Sequence, residues 1–155
     1  MAIDFPSAGL TVGQIFTSGA LAWQWDGTKW TATGAAGRYI VGCYVPGVPT
    51  ANQTLLYHRA AKPITLPTNL AGTLAGGGVA ATGSTAIVLQ QATAASPMTF
   101  STVATITFAA AGTTGTMSTQ AAINFAQGDV LRVRGPATAD ATFADFHLSL
   151  VGQET

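Results

Sequence analysis

The sequence predicts an all-β fold: a small N-terminal aromatic β-hairpin or mini-sheet followed by an antiparallel, jelly-roll-like β-sandwich. Three observations carry this expectation. The run "STVATITF" (101–108) alternates with period two, setting Phe100, Thr102, Ala104, Ile106 and Phe108 on one face and Ser101, Val103, Thr105 and Thr107 on the other. Short runs rich in β-branched and aromatic residues recur between clusters of Gly, Pro, Asn and Asp. No stretch carries a long apolar stripe of period 3.6, and the Ala-rich "FAAAGTTG" is broken by Gly and Thr, which favours a turn or strand end over a helix.

Taken in order, "GQIFT", "LAWQW" and "KWTAT" are strand candidates of the first piece. Asp26-Gly27 between the last two is a hairpin signal. With these as the central pair of a two-residue turn, Trp25 faces Thr28, Trp23 faces Trp30, and all three indoles share one face. Every tryptophan of the chain lies in "WQWDGTKW", 23–30. A sheet this small cannot build a core from aliphatics, so broad rings supply the buried area, each adding about 150–250 Å². The small residues of "TGAAG" then suggest a joint near Gly34 to Gly37, giving a mini-sheet over 1–34 and a sandwich over 38–155. In the sandwich, "RYIVGCYV", "ITL", "STAIVLQ", "STVATITF", "GTMST", "VLRVR" and "FADFHLSLV" read as strands, and "AGGGVAATGST" (75–85) reads as a loop. The eight residues "GPATADAT", rich in turn formers, allow two arrangements for the last two strands. Either they form a hairpin pairing Arg134 with Phe143 and Arg132 with Asp145, or they cross between the two layers.

Composition bounds the function. The chain has 155 residues, zero formal net charge and 8% charged residues, against about a quarter in ordinary globular proteins. So neutral a surface points to self-association, with a homotrimer as the expectation. Six scattered cations leave no electrostatic footprint for nucleic acid. Cys43 is the single cysteine and reads as a buried, reduced thiol. The start "MAIDFPSAGL" lacks the pattern of a secretory signal, and no apolar run approaches a bilayer span, so synthesis in the cytoplasm without membrane insertion is expected.

Catalytic patterns are weak, and no catalytic residue, cofactor or metal is assigned. The Gly-rich run has no Lys before Ser84, no Ser lies in a G-x-S-x-G setting, and His58 and His147 are the only histidines. Asp129 and Asp140 sit where Asp stabilises turns. Asp145 and His147 share a strand face, two ligands where a metal needs more, unless a threefold axis supplies them. Arg132 and Arg134 read as strand residues paired with nearby acid, the alternative being recognition of an anionic sugar. Tyr39, Tyr44 and Tyr57 fit sheet packing or a sugar platform.

The segment "IDFPSAGLTVGQIFTSGALAWQWDGTKWTAT" resembles a module recurrent at the N-termini of tailed-bacteriophage structural proteins. The resemblance rests on Phe5-Pro6, on a "TVGQ" strand (Thr11 to Gln14) and on the Trp23 to Trp30 hairpin. Downstream, "YVPGVPTANQTLLYHRAAKPITLP", "FAQGDVLRV" and "DATFADFHLSLVG" are similar to β-sandwich domains of phage fibres, spikes and decoration proteins. The resemblance implies a non-enzymatic virion protein made in the host cytoplasm: a head fibre, spike, tail-tip or decoration component. Phe5, Trp23, Trp25 and Trp30 would serve attachment to capsid, portal or tail components, and the sandwich would be displayed, facing a host-surface glycan if any. The alternative is a carbohydrate-binding or receptor-recognition module.

Overall fold

The computed structural model describes residues 4–18, 21–33, 37–118 and 121–155. The protein is all-β and divides into two compact units, Met1–Gly37 and Arg38–Thr155. Most of the joint expected at Gly34 to Gly37 lies outside the described residues.

The first unit is an antiparallel meander of β1 (Ile15–Ser18), β2 (Leu21–Trp25) and β3 (Trp30–Thr33). Its turns differ from the sequence expectation. Thr11 to Gln14 is a turn rather than a strand: the Gln14 N–H donates to the Thr11 carbonyl at 2.9 Å, with Gly13 at φ +91° in the position that needs a left-handed residue. The hairpin after Trp25 closes through Asp26 to Lys29, not through Asp26-Gly27 alone. Asp26 donates its N–H to the Lys29 carbonyl at 3.1 Å, and its Oδ1 accepts from the N–H groups of Thr28 (2.8 Å) and Lys29 (2.9 Å). The side chain thus competes successfully for donors that a two-residue turn would have left outside. Trp25 therefore faces Trp30 and Trp23 faces Ala32. The three indoles still share one face, because both changes preserve the parity of the pairing.

The second unit is an antiparallel β-sandwich. One sheet has the order β10-β9-β8-β12-β5, built from β5 (Thr54–Arg59), β8 (Thr85–Ala92), β9 (Ser101–Phe108), β10 (Gly115–Ser118) and β12 (Val130–Arg134). The other has the order β11-β6-β13-β4, from β4 (Arg38–Val45), β6 (Ile64–Leu66), β11 (Ile123–Phe125) and β13 (Phe146–Glu154), with β7 (Leu74–Gly76) also pairing β13. β12 lies beside β8, the first of the consecutive strands β8-β9-β10, which is a Greek-key return. Inward positions of both sheets meet in one core containing Ile87, Leu89, Ile106, Phe108, Leu131, Phe146 and Leu150. At its centre Phe108 packs on Phe143 with ring centroids 4.6 Å apart.

Three sequence expectations change here. The last two strands, β12 and β13, lie in different sheets, so the Arg132–Asp145 hairpin does not form. Part of the Gly-rich run is strand β7, and the glycines after it let backbone approach side chains closely: a Cβ on Gly77 would sit 2.5 Å from the Phe143 ring. The even alternation of β9 breaks at Val103. Leu89 pairs Ala104 but the next residue, Gln90, pairs Thr102, so Val103 is a bulge residue. Ala104, Ile106 and Phe108 point inward as expected, while Thr102 and Phe100 shift to the outer face.

Candidate functional site

Two surfaces gather the side chains with chemistry. The first is the aromatic face of the N-terminal sheet. Phe16 pairs Trp23 across β1–β2, and Trp25 pairs Trp30 across β2–β3, so strand alternation alone places these four rings together. Phe5 completes the set, 5.1 Å from Trp23 and 5.7 Å from Trp30 between ring centroids. Trp25 lies 5.6 Å from Trp30, and Phe16 lies 6.0 Å from Trp23 and from Trp30. The Trp30 indole N–H donates to the Pro6 carbonyl at 3.2 Å, tying the Phe5-Pro6 segment to the sheet. Phe5, Trp23, Trp25 and Trp30 are thus brought together, joined by Phe16, which sequence reasoning did not single out. Every one of these rings is only half-buried, and no described residue of 4–32 with an assigned exposure is fully buried. The face is an aromatic cluster without an interior.

The second surface is the outer face of the β10-β9-β8-β12-β5 sheet. Register places Tyr57, Arg132, Gln90 and Thr102 in one row across β5, β12, β8 and β9. The Arg132 guanidinium stacks on Phe100, 3.6 Å from the ring centroid, and donates through Nε (2.9 Å) and Nη2 (2.6 Å) to Gln90 Oε1. The Gln90 amide in turn donates to the Thr102 hydroxyl at 3.3 Å. Tyr57 stands edge-on to Phe100 and donates to the Pro97 carbonyl at 3.3 Å. Burial, then the neighbouring Arg134, hold the Arg132 pKa below the ordinary value, yet a guanidinium stays charged at neutral pH. The expected acid partner is absent: among the described residues the one ion pair joins Lys62 to Glu154, 3.0 Å apart. At the β8–β9 turn an open cleft of about 320 Å³ is lined by Gln91, Thr93, Ser96, Thr99, Phe100 and Ser101, and by register Gln91 and Ser101 take the side of the sheet opposite Arg132, Gln90 and Thr102.

The remaining acids serve the backbone. Asp129 is buried and accepts from the N–H groups of Ala94 and Ala126 and from the Gln91 amide. Asp140 accepts from the N–H groups of Thr82, Gly83, Thr142 and Phe143, and these bonds, led by Gly83, hold its carboxyl well below the usual carboxylate range. Asp145 is not a strand-face neighbour of His147. It lies before β13 in the left-handed region (φ +57°), with its carboxylate on the Gly47 N–H and the Tyr44 hydroxyl. His58 pairs with the Tyr39 hydroxyl. Among the described residues no three of His, Cys, Asp and Glu come together as metal ligands. Burial pushes the half-buried Cys43 thiol up, which keeps it protonated. No protein-family model, curated protein or solved structure matches the chain.

Proposed function

We propose that the protein is a non-enzymatic structural component of a tailed-phage virion, attached to the particle through its N-terminal sheet and displaying its β-sandwich. One observation supports this above the others: five aromatic rings share a face of a three-stranded sheet, and none is fully buried. A sheet of this size is marginal alone and gains most by laying its rings against a partner. Enrichment of Trp and Phe in a patch of that kind suits a docking surface whose partner is a capsid, portal or tail protein. The chain's low content of charged residues, 8%, suits self-association, for which three chains is the proposed state. Head fibre, spike, tail tip and decoration protein all satisfy these requirements.

The test is incorporation. Full-length protein carrying Trp25→Ala is expected to be missing from purified particles while its sandwich keeps the thermal transition of the unaltered chain. Incorporation equal to that of the unaltered protein would show that the aromatic face is not the attachment surface. Absence of the unaltered protein from the particles by mass spectrometry would refute the virion reading itself.

A further inference from the structure

The outer face of the β10-β9-β8-β12-β5 sheet has an unusual charge balance. Its strands contain Arg59, Arg132 and Arg134 and no Asp or Glu at all. Half of the six cations of a neutral protein therefore lie on one sheet. Alternation puts all three on the outer face, since Leu56, His58, Leu131 and Val133 take the inward positions. None forms an ion pair among the described residues. Arg59 donates to the Gly128 carbonyl at 3.1 Å and Arg134 to the Asn52 carbonyl at 3.4 Å. The acids near the sheet are otherwise engaged, Asp129 being turned to backbone N–H groups and Gln91.

Arg132 is held as a receptor group is held. Phe100 supports one face of its guanidinium, and Gln90 takes the Nε/Nη2 edge. The Nη1/Nη2 edge keeps its donors, a fork that matches the two oxygens of a carboxylate. The support exists only because of the bulge at Val103, which moves Phe100 from the core side to the outer side. Bulges of this kind re-aim side chains beside functional sites. Beside the arginine lies the exposed aromatic surface of Tyr57, a platform that packs against the apolar side of a sugar ring.

We propose that this face binds a carboxylate-bearing saccharide, its acid group on the free edge of Arg132 within the field of Arg59 and Arg134 and its ring against Tyr57. A neutral glycan leaves the arginines unused. A nucleic acid has phosphate charge in plenty, but the row beside Arg132 exposes one ring, Tyr57, where a single strand needs successive stacking rings. The inference stands apart from the particle reading, since protein that fails to enter particles retains the same sheet.

Titration of purified full-length protein with an unbranched galacturonic-acid oligomer, followed by calorimetry, tests it. The same oligomer with its carboxyls reduced to hydroxymethyl groups is the neutral control. The acidic oligomer is expected to bind at least about tenfold more tightly than the reduced one, as for a charge-assisted bond made or lost. Arg132→Gln is expected to lower affinity by about tenfold or more. Arg59→Gln, at an exposed position with one backbone partner, is expected to weaken binding by a few fold without moving the thermal midpoint, and it decides the matter if Arg132→Gln does not fold. No binding at millimolar oligomer, equal binding of the reduced oligomer, or an Arg59→Gln variant with unchanged affinity overturns the proposal. So does equal competition by single-stranded DNA, which would mark a general polyanion patch.

Discussion

Trp30→Ala should unfold the N-terminal sheet and leave the sandwich standing. Trp30 packs against Trp25 at 5.6 Å, Phe5 at 5.7 Å and Phe16 at 6.0 Å, and donates its indole N–H to the Pro6 carbonyl. Half of an indole's contact area, about 100 Å², is worth ~2.5 kcal/mol at ~25 cal/mol per Å². Loss of the hydrogen bond adds ~1 kcal/mol. The sum of ~3.5 kcal/mol is comparable with the whole stability of such a unit, about 2–5 kcal/mol at typical per-residue values. Amide hydrogen exchange on the full chain reads both units at once. Protection of β1, β2 and β3 should collapse in the variant, while β8, β9 and β12 keep theirs. Retained protection in β2 and β3 would show that the ring cluster contributes far less than its contacts imply. Parallel loss in both units would show one cooperative fold, and the independence of the sheet would be wrong.

Gly77→Ala should destabilise the sandwich by about 1–3 kcal/mol, because the new methyl meets a Phe143 ring that is already locked against Phe108; an unchanged urea midpoint would refute this. Asp140 gives a pH dependence of known sign. Its folded pKa is depressed, so its stabilisation is full above the unfolded value of 3.8 and fades as pH falls further, and Asp140→Asn should be less stable than the unaltered chain at pH 7 but lose that deficit in strong acid. A deficit that persists unchanged at low pH would place its origin elsewhere. Ile40, Tyr44 and Leu74, all more than half exposed, lie on the outer face of the β11-β6-β13-β4 sheet, and native mass spectrometry at high micromolar concentration should find three chains together. A strictly monomeric species would refute self-association.

Local pattern carried much of this fold. The run "RYIVGCYV" coincides with β4, "ITL" with β6, "STVATITF" with β9 and "VLRVR" with β12, because each has enough β-branched and apolar residues between turn formers to declare itself. Strands β5, β7 and β11 were not legible. β7 and β11 are three residues each, and β7 ends in the glycine run, where the signal that matters is the packing of Phe143 and His147 against missing side chains. The hairpin expected between β12 and β13 shows a different limit. Leu131 and Phe146 are both buried, as that register required, yet they belong to opposite layers. Alternation specifies which face a residue presents; it does not choose the neighbour, and the neighbours of β12 are β8 and β5, distant in sequence.

The candidate saccharide face was hidden by the same limit, acting through one residue. With unbroken alternation Phe100 belongs beside Ala104 and Phe108 in the core, and Arg132 is then an arginine on a strand with no aromatic support. The extra residue at Val103 reverses the sense of everything before it in β9, and a bulge has no local signature in "STVATITF". Its consequence is read across the sheet, where Gln90 pairs Thr102 and holds Arg132 in the same row. The aromatic face of the first unit survived a wrong turn because Trp23, Trp25 and Trp30 keep a common side whether the loop holds two residues or four. A two-residue change in a loop preserves parity, and a one-residue bulge inverts it. Errors of register are therefore harmless or decisive according to whether they are even or odd, and here the odd one separates a buried Phe100 from one that supports an unpaired arginine.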